Sequence, residues 1–398
     1  MAQQLKNEEG ATLIPPPKIS ASRRSAISAA FNFINSIIGS GILGLPYALS
    51  QAGLPLGLLF LIIVAFITDY SIILLIKGGN LSGTNSYQAL VQSTFGFPGF
   101  LVLSALQFLY PFIAMISYNI TTGDTLTKVF QRIPGVGPGH ILAERHFVIL
   151  LSTVAFTLPL SLYRNIEKLG KVSLLSMVLT MAILITVIIR AATLGPQIPP
   201  TEDAWVFAKA NTIQAAGIMS FGDIFENYCK DDNLATFGRF CFGLSIVTTF
   251  PLECFVTREV EERKRGTTRS RMGPFVLSNV LCCRELTRAE HAGLTVLIVT
   301  ACTSMSLAFD CLGVVLELNG VLSATPLIFI IPSACFLKLS PGRWFQGENL
   351  IPSILILTGV FVMITGLTMT GLYPQDCSHG VEMFYCADAN VSGTVPPA

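Results

Sequence analysis

Residues 31–53 read FNFINSIIGSGILGLPYALSQAG, an apolar stretch that is long enough to cross a lipid bilayer. Glycine and proline both weaken a helix, because glycine has too much conformational freedom and proline lacks a backbone N–H. The stretch therefore predicts a membrane span whose helix is interrupted near mid-depth. The residues that predict the interruption are Gly39, Ser40, Gly41, Gly44 and Pro46.

The composition indicates a membrane protein made of helices. Of the 398 residues 52% are hydrophobic and 12% are charged, about half the charged share of an ordinary soluble domain. Apolar runs of roughly 20 residues, the length that spans the hydrocarbon core, recur along almost the whole chain. No alternation in ten-residue units competes with them, so an all-α multi-pass bundle is favoured over a barrel. We predict nine spans, at 26–50, 54–76, 97–119, 147–163, 172–195, 237–256, 293–316, 321–338 and 350–373.

The basic residues predict the orientation of the spans. They concentrate in the tail at 1–25, the loop at 163–171 and the loop at 258–291, which alternation over nine spans places on one side. The acidic stretch at 196–236 falls on the other side. Because short cytosolic loops are rich in Lys and Arg, the N-terminal tail is predicted to be cytosolic. Three basic residues disagree, since the same count puts them outside: Lys128, Arg132 and Arg145.

This orientation divides the chain into three parts. We expect a cytosolic tail at 1–25, a transmembrane domain at 26–373 with a basic cytosolic loop at 258–291, and an extracellular or lumenal tail at 374–398. The first span is expected to be retained and not removed as a signal peptide, because no small-residue cleavage site and soluble domain follow it.

The C-terminal tail supports the orientation. It holds Cys377 and Cys386, a candidate disulfide, and the sequon Asn390-Val391-Ser392, a candidate glycosylation site. Both features suit an oxidising compartment that adds glycans. The other eight cysteines lack metal-ligand spacing, and most lie in apolar runs where a thiol acts as a small hydrophobic group. No zinc or haem site and no cofactor is therefore expected.

An interrupted span must face protein or a wet cavity, because every backbone N–H and C=O in lipid needs a partner. Secondary transporters use such interruptions: freed N–H groups at the positive end of a half-helix hold an anion, and freed carbonyls hold a cation. Ile38, Gly39, Ser40 and Gly41 suit this use, since glycine allows backbone to approach a ligand closely. We predict here a place for an amino acid carboxylate and a sodium ion. The alternative, that small residues let helices pack closely, stays open.

Two motifs resemble those of a known family. Residues 35–48, NSIIGSGILGLPYA, resemble the first-helix signature of the amino acid/auxin permease family, specifically of its sodium-coupled neutral amino acid transporters. The stretches LELNG at 316–320 and ATPLIFIIP at 324–332 resemble the motif that this family carries near its ninth and tenth helices. The resemblance implies a LeuT-like bundle of eleven helices. The first ten would form two inverted repeats, with substrate between the broken first and sixth helices.

The resemblance also implies two sodium ligands. Asn35, just before the glycines, stands where the family has a sodium-binding asparagine. Thr249 stands where the family has a sodium-binding threonine, ten residues after Arg239 and just ahead of Phe250-Pro251. Both side chains offer a neutral oxygen, as a dehydrated alkali cation needs. Asn35 could instead make an interhelical hydrogen bond, and Thr249 could simply bond the carbonyl one turn back.

The chain departs from the family after Phe221. In the relatives a sixth span continues from this point, whereas here the residues from Gly222 to Cys229 resemble the outer loop before the eighth helix. The equivalents of the sixth and seventh helices, about 50 residues at roughly 20 per span, are therefore predicted to be missing. Loss of an even number of spans preserves the orientation of everything downstream. A splice variant or a flawed gene model would produce such a gap.

Three further polar residues lie in or near predicted spans. Asp69 lies inside the second span, where it could pair with a cation, carry a proton or make a structural hydrogen bond. Asp310 and Glu317 lie near the outer end of the 293–316 run, where we expect them to reach water.

Two functions fit these observations. The first is a sodium-dependent secondary transporter of neutral amino acids, with or without proton exchange. The second is a transport-inactive splice variant that associates with or regulates a full-length transporter. A channel would need a repeated pore-loop or charged-ring pattern, and an enzyme would need a nucleophile motif or metal spacing around its histidines.

The expected partners follow from the first function. They are neutral amino acids, Na⁺ as the coupling ion, H⁺ and the lipid bilayer, with no nucleic acid. The plasma membrane is preferred to an endolysosomal membrane. Because alternating access in this architecture needs both repeats, we expect no uptake by the 398-residue chain alone.

Overall fold

The computed structural model describes nine helices that follow the predicted spans. Within the residues it describes, seven helices are long and apolar enough to cross a membrane and two apolar helices, Ile27–Ile38 and Arg145–Ser161, are shorter. The multi-pass helical architecture is thus confirmed. The described residues are 27–32, 34–38, 49, 53–137, 139–163, 166–194, 228–229, 231–262, 287–309 and 311–372. The helices are α1 Ile27–Ile38, α2 Leu54–Ser82, α3 Tyr87–Phe130, α4 Arg145–Ser161, α5 Ile166–Leu194, α6 Asn233–Glu262, α7 Arg288–Ala308, α8 Leu312–Leu339 and α9 Leu350–Leu372.

Local sequence signals set several helix ends. Gly83 ends α2 in the left-handed conformation, with φ of 67°, which glycine adopts without steric cost. The Ser86 side chain accepts a hydrogen bond from the Ala89 N–H at 3.2 Å and so caps the start of α3. Thr287 and Glu290 form a reciprocal capping box at the start of α7. These caps satisfy backbone groups that a helix terminus otherwise leaves without partners.

Helix α3 is much longer than the predicted span at 97–119. It runs from Tyr87 to Phe130, with a kink at Gly96, whose φ is 70°. Pro98 follows the kink and lacks the N–H that would continue the hydrogen-bond ladder. A hydropathy count finds only the apolar centre of such a helix, because its two ends carry polar residues. The predicted bounds were therefore too narrow at both ends.

The predicted span at 293–316 is wrong at its outer end. Helix α7 ends at Ala308, Phe309 and Cys311 have extended backbone, and α8 begins at Leu312. The apolar residues on both sides of this break kept the hydropathy high, which concealed it. Glu317 therefore lies inside α8, and only 1% of it is exposed. The expectation that Glu317 reaches water is wrong, while Asp310 lies outside the described residues.

Two of the three basic residues that disagreed with the topology have acidic partners. Arg132 forms an ion pair with Asp231 just ahead of α6. Arg145 forms another with Asp124, at 2.5 Å between Nε and Oδ1. These pairs connect segments that the nine-span count places on the same, outer side. Neighbouring carboxylates therefore offset the positive charge of these two residues. Their position on the outer side is then weaker evidence against the predicted orientation.

Helix α6 lies at the centre of the bundle. It packs against α3, α4, α5 and α7. The main hydrophobic core is formed by buried side chains of α3, α5, α6, α7 and the start of α8, and includes Tyr118, Phe242 and Phe250. This position places the polar face of α6 in contact with several helices at once.

Candidate functional site

Four buried polar side chains from three helices meet beside the centre of α6. Asn35 comes from α1, Ser176 from α5, and Ser245 and Thr249 from α6; each is at most 7% exposed. The Thr249 Oγ1 lies 3.3 Å from Asn35 Oδ1 and 3.3 Å from Ser176 Oγ. The hydroxyls of Ser176 and Ser245 are 2.8 Å apart. We call these four residues the oxygen cluster.

Helical spacing explains why the cluster forms. Ser245 and Thr249 are four residues apart on α6 and so lie on one face. The Thr249 hydroxyl also donates to the carbonyl of Ser245 at 2.9 Å, which is the local bond that the sequence left as an alternative. A second contact fixes α1 against α5: Ser173 Oγ donates to Asn32 Oδ1 at 2.6 Å, three residues before the cluster on each helix. Local and interhelical bonds therefore coexist at Thr249.

The chemistry of the cluster suits an alkali cation. Its side chains supply neutral oxygen atoms, the hard donors that such ions prefer, and none of the four is charged. Within the described part of the chain, Asn35 Nδ2 is buried without a hydrogen-bond partner. A buried polar atom without a partner costs free energy, so the site is not fully satisfied as it stands. This donor needs an acceptor, which a cation does not supply, so the case for an ion rests on the oxygen atoms of the cluster alone.

The sequence predicted two of the four cluster residues. The structure brings Asn35 and Thr249 together, as the family resemblance implied, although ion binding itself stays a prediction. Ser176 and Ser245 were missed. The spacing of Ser245 and Thr249 on α6, and of Ser173 and Ser176 on α5, was the available signal.

Most other predicted site residues lie outside the described residues. Ile38 is the last residue of α1, one turn after Asn35. The proposed carboxylate site beyond it, the tail disulfide and the glycan therefore stay predictions; the residues concerned are Gly39, Ser40, Gly41, Cys377, Cys386 and Asn390. Two cysteines, Cys229 and Cys311, are disulfide-bonded, which the sequence did not indicate.

Asp69 does not join the oxygen cluster. It lies near the middle of α2 and is exposed on the surface of the bundle. Its neighbour one turn back, Phe66, is 72% exposed. A carboxylate at this depth of a span is costly when lipid surrounds it. Among the residues that the structure describes, Asp69 therefore lacks the protein environment that such a residue ordinarily has.

Comparison with known proteins identifies the family. The sequence matches the family described as transmembrane amino acid transporter protein over residues 22–223 and 222–372. A Danio rerio protein is 60% identical over 429 aligned positions, which cover 94% of this chain and 92% of the relative. A Mus musculus protein is 51% identical and covers 94% of this chain and 90% of its own. Both are named "Putative sodium-coupled neutral amino acid transporter 11".

A more distant relative comes from yeast. Vacuolar amino acid transporter 2 of Saccharomyces cerevisiae is 26% identical, over 92% of this chain and 86% of the relative. The names of these relatives describe transporters, in a family that is not enzymatic. The chain belongs to the transmembrane amino acid transporter family.

Proposed function

We propose that this chain is built as a sodium-dependent secondary transporter of neutral amino acids, with the oxygen cluster as its sodium site, and that it transports alone only if the segment it lacks is dispensable. The observation that carries the proposal is the meeting of Asn35, Ser176, Ser245 and Thr249 at hydrogen-bond distance inside the bundle. Neutral oxygens from three helices can replace the hydration shell of Na⁺ without fixing a permanent negative charge in the membrane. The ion would then bring its own charge to the site.

The cluster would couple the ion to the substrate through α1. Asn35 lies one turn before Ile38, where α1 reaches the predicted interruption at Gly39, Ser40 and Gly41. A sodium ion held by Asn35 would fix the position of that turn relative to α5 and α6. It would also attract the carboxylate of an amino acid bound at the freed N–H groups. The names of the Danio and Mus relatives support neutral amino acids as the substrates.

Proton exchange and the membrane of residence belong to the same proposal. We infer a plasma-membrane location, and H⁺ as an ion that the transporter exchanges against Na⁺ and substrate. The yeast relative, which is named as vacuolar, supports the opposite location. Surface biotinylation of intact cells separates the two, because an endolysosomal protein is not labelled.

The comparisons also support a missing internal segment. The family match falls into two pieces that meet at residues 222–223. The alignment to the Danio relative runs over 429 positions, more than the 398 residues of this chain, so the relative has residues that this chain lacks. We infer that the equivalents of the sixth and seventh helices are absent.

A second function is favoured by the exposed Asp69. If the absent helices are those that cover α2, the chain would be a transport-inactive variant that associates with or regulates a full-length transporter. A partner helix with a hydrogen-bond donor at the depth of Asp69 would remove the cost of exposing that carboxylate.

One experiment separates these functions. The purified chain is reconstituted in liposomes with an imposed sodium gradient and a mixture of labelled neutral amino acids, and its melting temperature is measured in Na⁺ and in choline. Accumulation driven by the gradient supports the transporter. Stabilisation by Na⁺ without accumulation supports the transport-inactive variant. A protein that is neither stabilised by Na⁺ nor active overturns the sodium site, and the variant N35A serves as the matched control.

A further inference from the structure

A cavity lies at the end of the bundle where α2 and α8 end and α9 begins. Its volume is about 620 Å³, and its lining includes Lys77 of α2, Phe336 of α8 and Glu348 just ahead of α9. Phe336 also belongs to a core cluster with Leu74 of α2 and Leu355 of α9. The three helices are therefore held together beside the cavity. The charge pattern predicts this end of the bundle to be cytosolic.

The cavity contains one cationic and one anionic side chain. The Nζ atom of Lys77 lies 3.4 Å from Oε2 of Glu348 and 5.9 Å from the centre of the Phe336 ring. The two side chains are 48% and 77% exposed. An ion pair at such a position contributes little to stability, because water screens it. A ligand that carries both charges can therefore replace this one contact by two.

A buried oxygen atom in the lining needs a hydrogen-bond donor. Asn349 lines the cavity and is 3% exposed. Its Nδ2 donates to the carbonyl of Arg343 at 3.4 Å, whereas its Oδ1 has no hydrogen-bond partner within the described part of the chain. An amide oxygen accepts N–H groups. An ammonium group bound beside Glu348 would supply the missing donor.

The surroundings of the cavity are those of a membrane surface. Trp344 and Phe345, in the loop between α8 and α9, are 59% and 57% exposed. Aromatic side chains of this kind are enriched at the level of the lipid headgroups. Exposed apolar residues flank the cavity along α2 and α9, where acyl chains can lie against them. They are Ile73, Ile76, Leu81, Leu350 and Ile351.

The charge around the cavity favours a phosphate. Within residues 77–97 and 331–350 the basic residues are Lys77, Lys338 and Arg343, and the acidic residue is Glu348. Basic residues at a membrane surface attract the phosphate groups of lipids. Glu348 would repel a headgroup that is purely anionic, but it attracts one that also carries an ammonium group.

We propose that this cavity binds a phospholipid whose headgroup carries a primary ammonium group next to its phosphate. The phosphate lies at Lys77, and the ammonium group donates to Glu348 and Asn349. Such a lipid connects α2 to the start of α9 through its headgroup. This inference goes beyond the proposed transport function and does not depend on it.

The test measures lipid binding to the purified 398-residue chain in a nonionic detergent, by native mass spectrometry. The lipids are phosphatidylethanolamine, phosphatidylcholine, whose ammonium group has no N–H, and phosphatidylglycerol, which has no ammonium group. Soluble phosphoethanolamine is the competitor, because it has the headgroup without acyl chains. The variants are K77Q and E348Q.

Two substitutions outside the cavity serve as matched controls. K338Q removes an exposed lysine at the same end of the bundle, whose Nζ lies 4.6 Å from the centre of the Phe95 ring. E144Q removes an exposed glutamate ahead of α4, at the opposite end. Diffuse attraction between lipid and surface charge would make K338Q as harmful as K77Q.

We expect K77Q and E348Q each to weaken phosphatidylethanolamine binding by about three- to tenfold, since each removes a charge-assisted contact at a partly exposed site. Phosphatidylcholine should bind more weakly than phosphatidylethanolamine. E348Q should leave phosphatidylglycerol binding unchanged or strengthen it, because it removes a carboxylate near the phosphate. Both controls should match the wild type, and phosphoethanolamine should compete only at much higher concentration than the lipid.

Four results would overturn the proposal. They are equal losses in K77Q and K338Q, an E348Q chain with wild-type affinity for phosphatidylethanolamine, equal losses for phosphatidylethanolamine and phosphatidylglycerol in E348Q, and competition by phosphoethanolamine at the concentration of the lipid. The last result would assign the cavity to a soluble phosphate ester. If one of the two variants fails to fold, the other decides by the same comparison between lipids.

Discussion

Helices α6 and α2 are both apolar enough to cross a membrane, yet they lie in opposite environments. Of the central span of α6, 78% of residues are buried inside the protein, compared with 11% for α2. Helix α6 is surrounded by α3, α4, α5 and α7, whereas α2 packs against α8 and α3. Exposed residues cover much of the circumference of α2, and five of them, spaced four and three residues apart, form one stripe along the helix. The stripe consists of Ile62, Phe66, Asp69, Ile73 and Ile76, and Leu58, Leu59, Ile63 and Ile72 are exposed beside it.

The difference shows which of the two helices has protein partners for its polar residues. Exposed isoleucines and a phenylalanine are ordinary on a helix that faces lipid. The polar cluster of α6 is engaged with other helices, because Ser245 bonds Ser176 of α5 and Thr249 bonds Asn35 of α1. Asp69 is the one residue of the α2 stripe whose side chain is unfavourable in contact with lipid. The contrast is what we expect if α6 keeps its full surroundings and α2 lacks a covering helix.

The largest expected effect compares two phenylalanines. Phe250 on α6 is fully buried, and Phe66 on α2 is 72% exposed. We expect F250A to lower the free energy of unfolding by about 3–5 kcal/mol, because it leaves a cavity in the core. F66A should change it by less than about 0.5 kcal/mol, as surface substitutions do. Denaturant unfolding in one detergent measures both, and equal losses would show that α2 is covered.

A second, smaller effect concerns Asp69. If α2 faces lipid at this point, D69L should favour membrane insertion of α2 by about 2–3 kcal/mol, the cost of an aspartate at a helix centre. Insertion of the isolated span into microsomes measures this change. In the whole chain D69L should also reduce co-purification with a full-length transporter, and I62A is the control. A D69L chain that is destabilised would contradict an open α2 surface.

Two glycines sharpen the comparison further. A Cβ added at Gly243 on α6 would lie 2.6 Å from the Leu126 side chain of α3. G243A should therefore cost about 1–3 kcal/mol through overpacking. At Gly78 on α2 the nearest atom, a Leu90 methyl carbon, is 3.3 Å away and can shift. G78A should be close to neutral, since the higher helix propensity of alanine offsets the contact. Thermal unfolding of the two variants checks the order.

The smallest effect tests the oxygen cluster. N35A should weaken the apparent sodium affinity by about tenfold, or about 1.4 kcal/mol, because it removes one ligand from a preformed site. T249A should act in the same direction but less. T257A is a matched control, since Thr257 is fully buried on α6 and bonds the Glu253 carbonyl one turn back at 2.7 Å. Sodium-dependent shifts in melting temperature give the readout, and three equal shifts would refute the cluster as a sodium site.

The sequence predicted the helices better than their ends or contacts. The positions of the spans can be predicted because the mean hydropathy of a window depends only on the residues within that window. The break at 309–311 was missed because Phe309 and Cys311 are themselves apolar. Because the break was missed, the predicted span ran on to residue 316, and Glu317 was expected just beyond it, in water. The ends of α3 were missed because they are polar but still helical.

The candidate site was predicted only in part, for a different physical reason. Asn35 and Thr249 came from a family motif, and the structure places their oxygens 3.3 Å apart. Ser176 contributes through a contact between α5 and α6, two helices that are far apart in sequence. A serine in an apolar helix usually bonds its own backbone, so its type does not reveal an interhelical role. Only the packing of the bundle identifies it.

The contacts of Arg258 restrict how the bundle can move. Its guanidinium connects α6 to three other groups. They are the carbonyl of Ser161 at the end of α4, the carbonyl of Tyr163 two residues later, and the hydroxyl of Thr295 in the second turn of α7. Charged hydrogen bonds of this kind are expensive to break inside a membrane protein. The joined ends of α4, α6 and α7 therefore form one rigid contact at the end of the bundle that the charge pattern predicts to be cytosolic. We expect a gate that opens at this end to move α1, α5 or α8 and to leave the three joined helices in place.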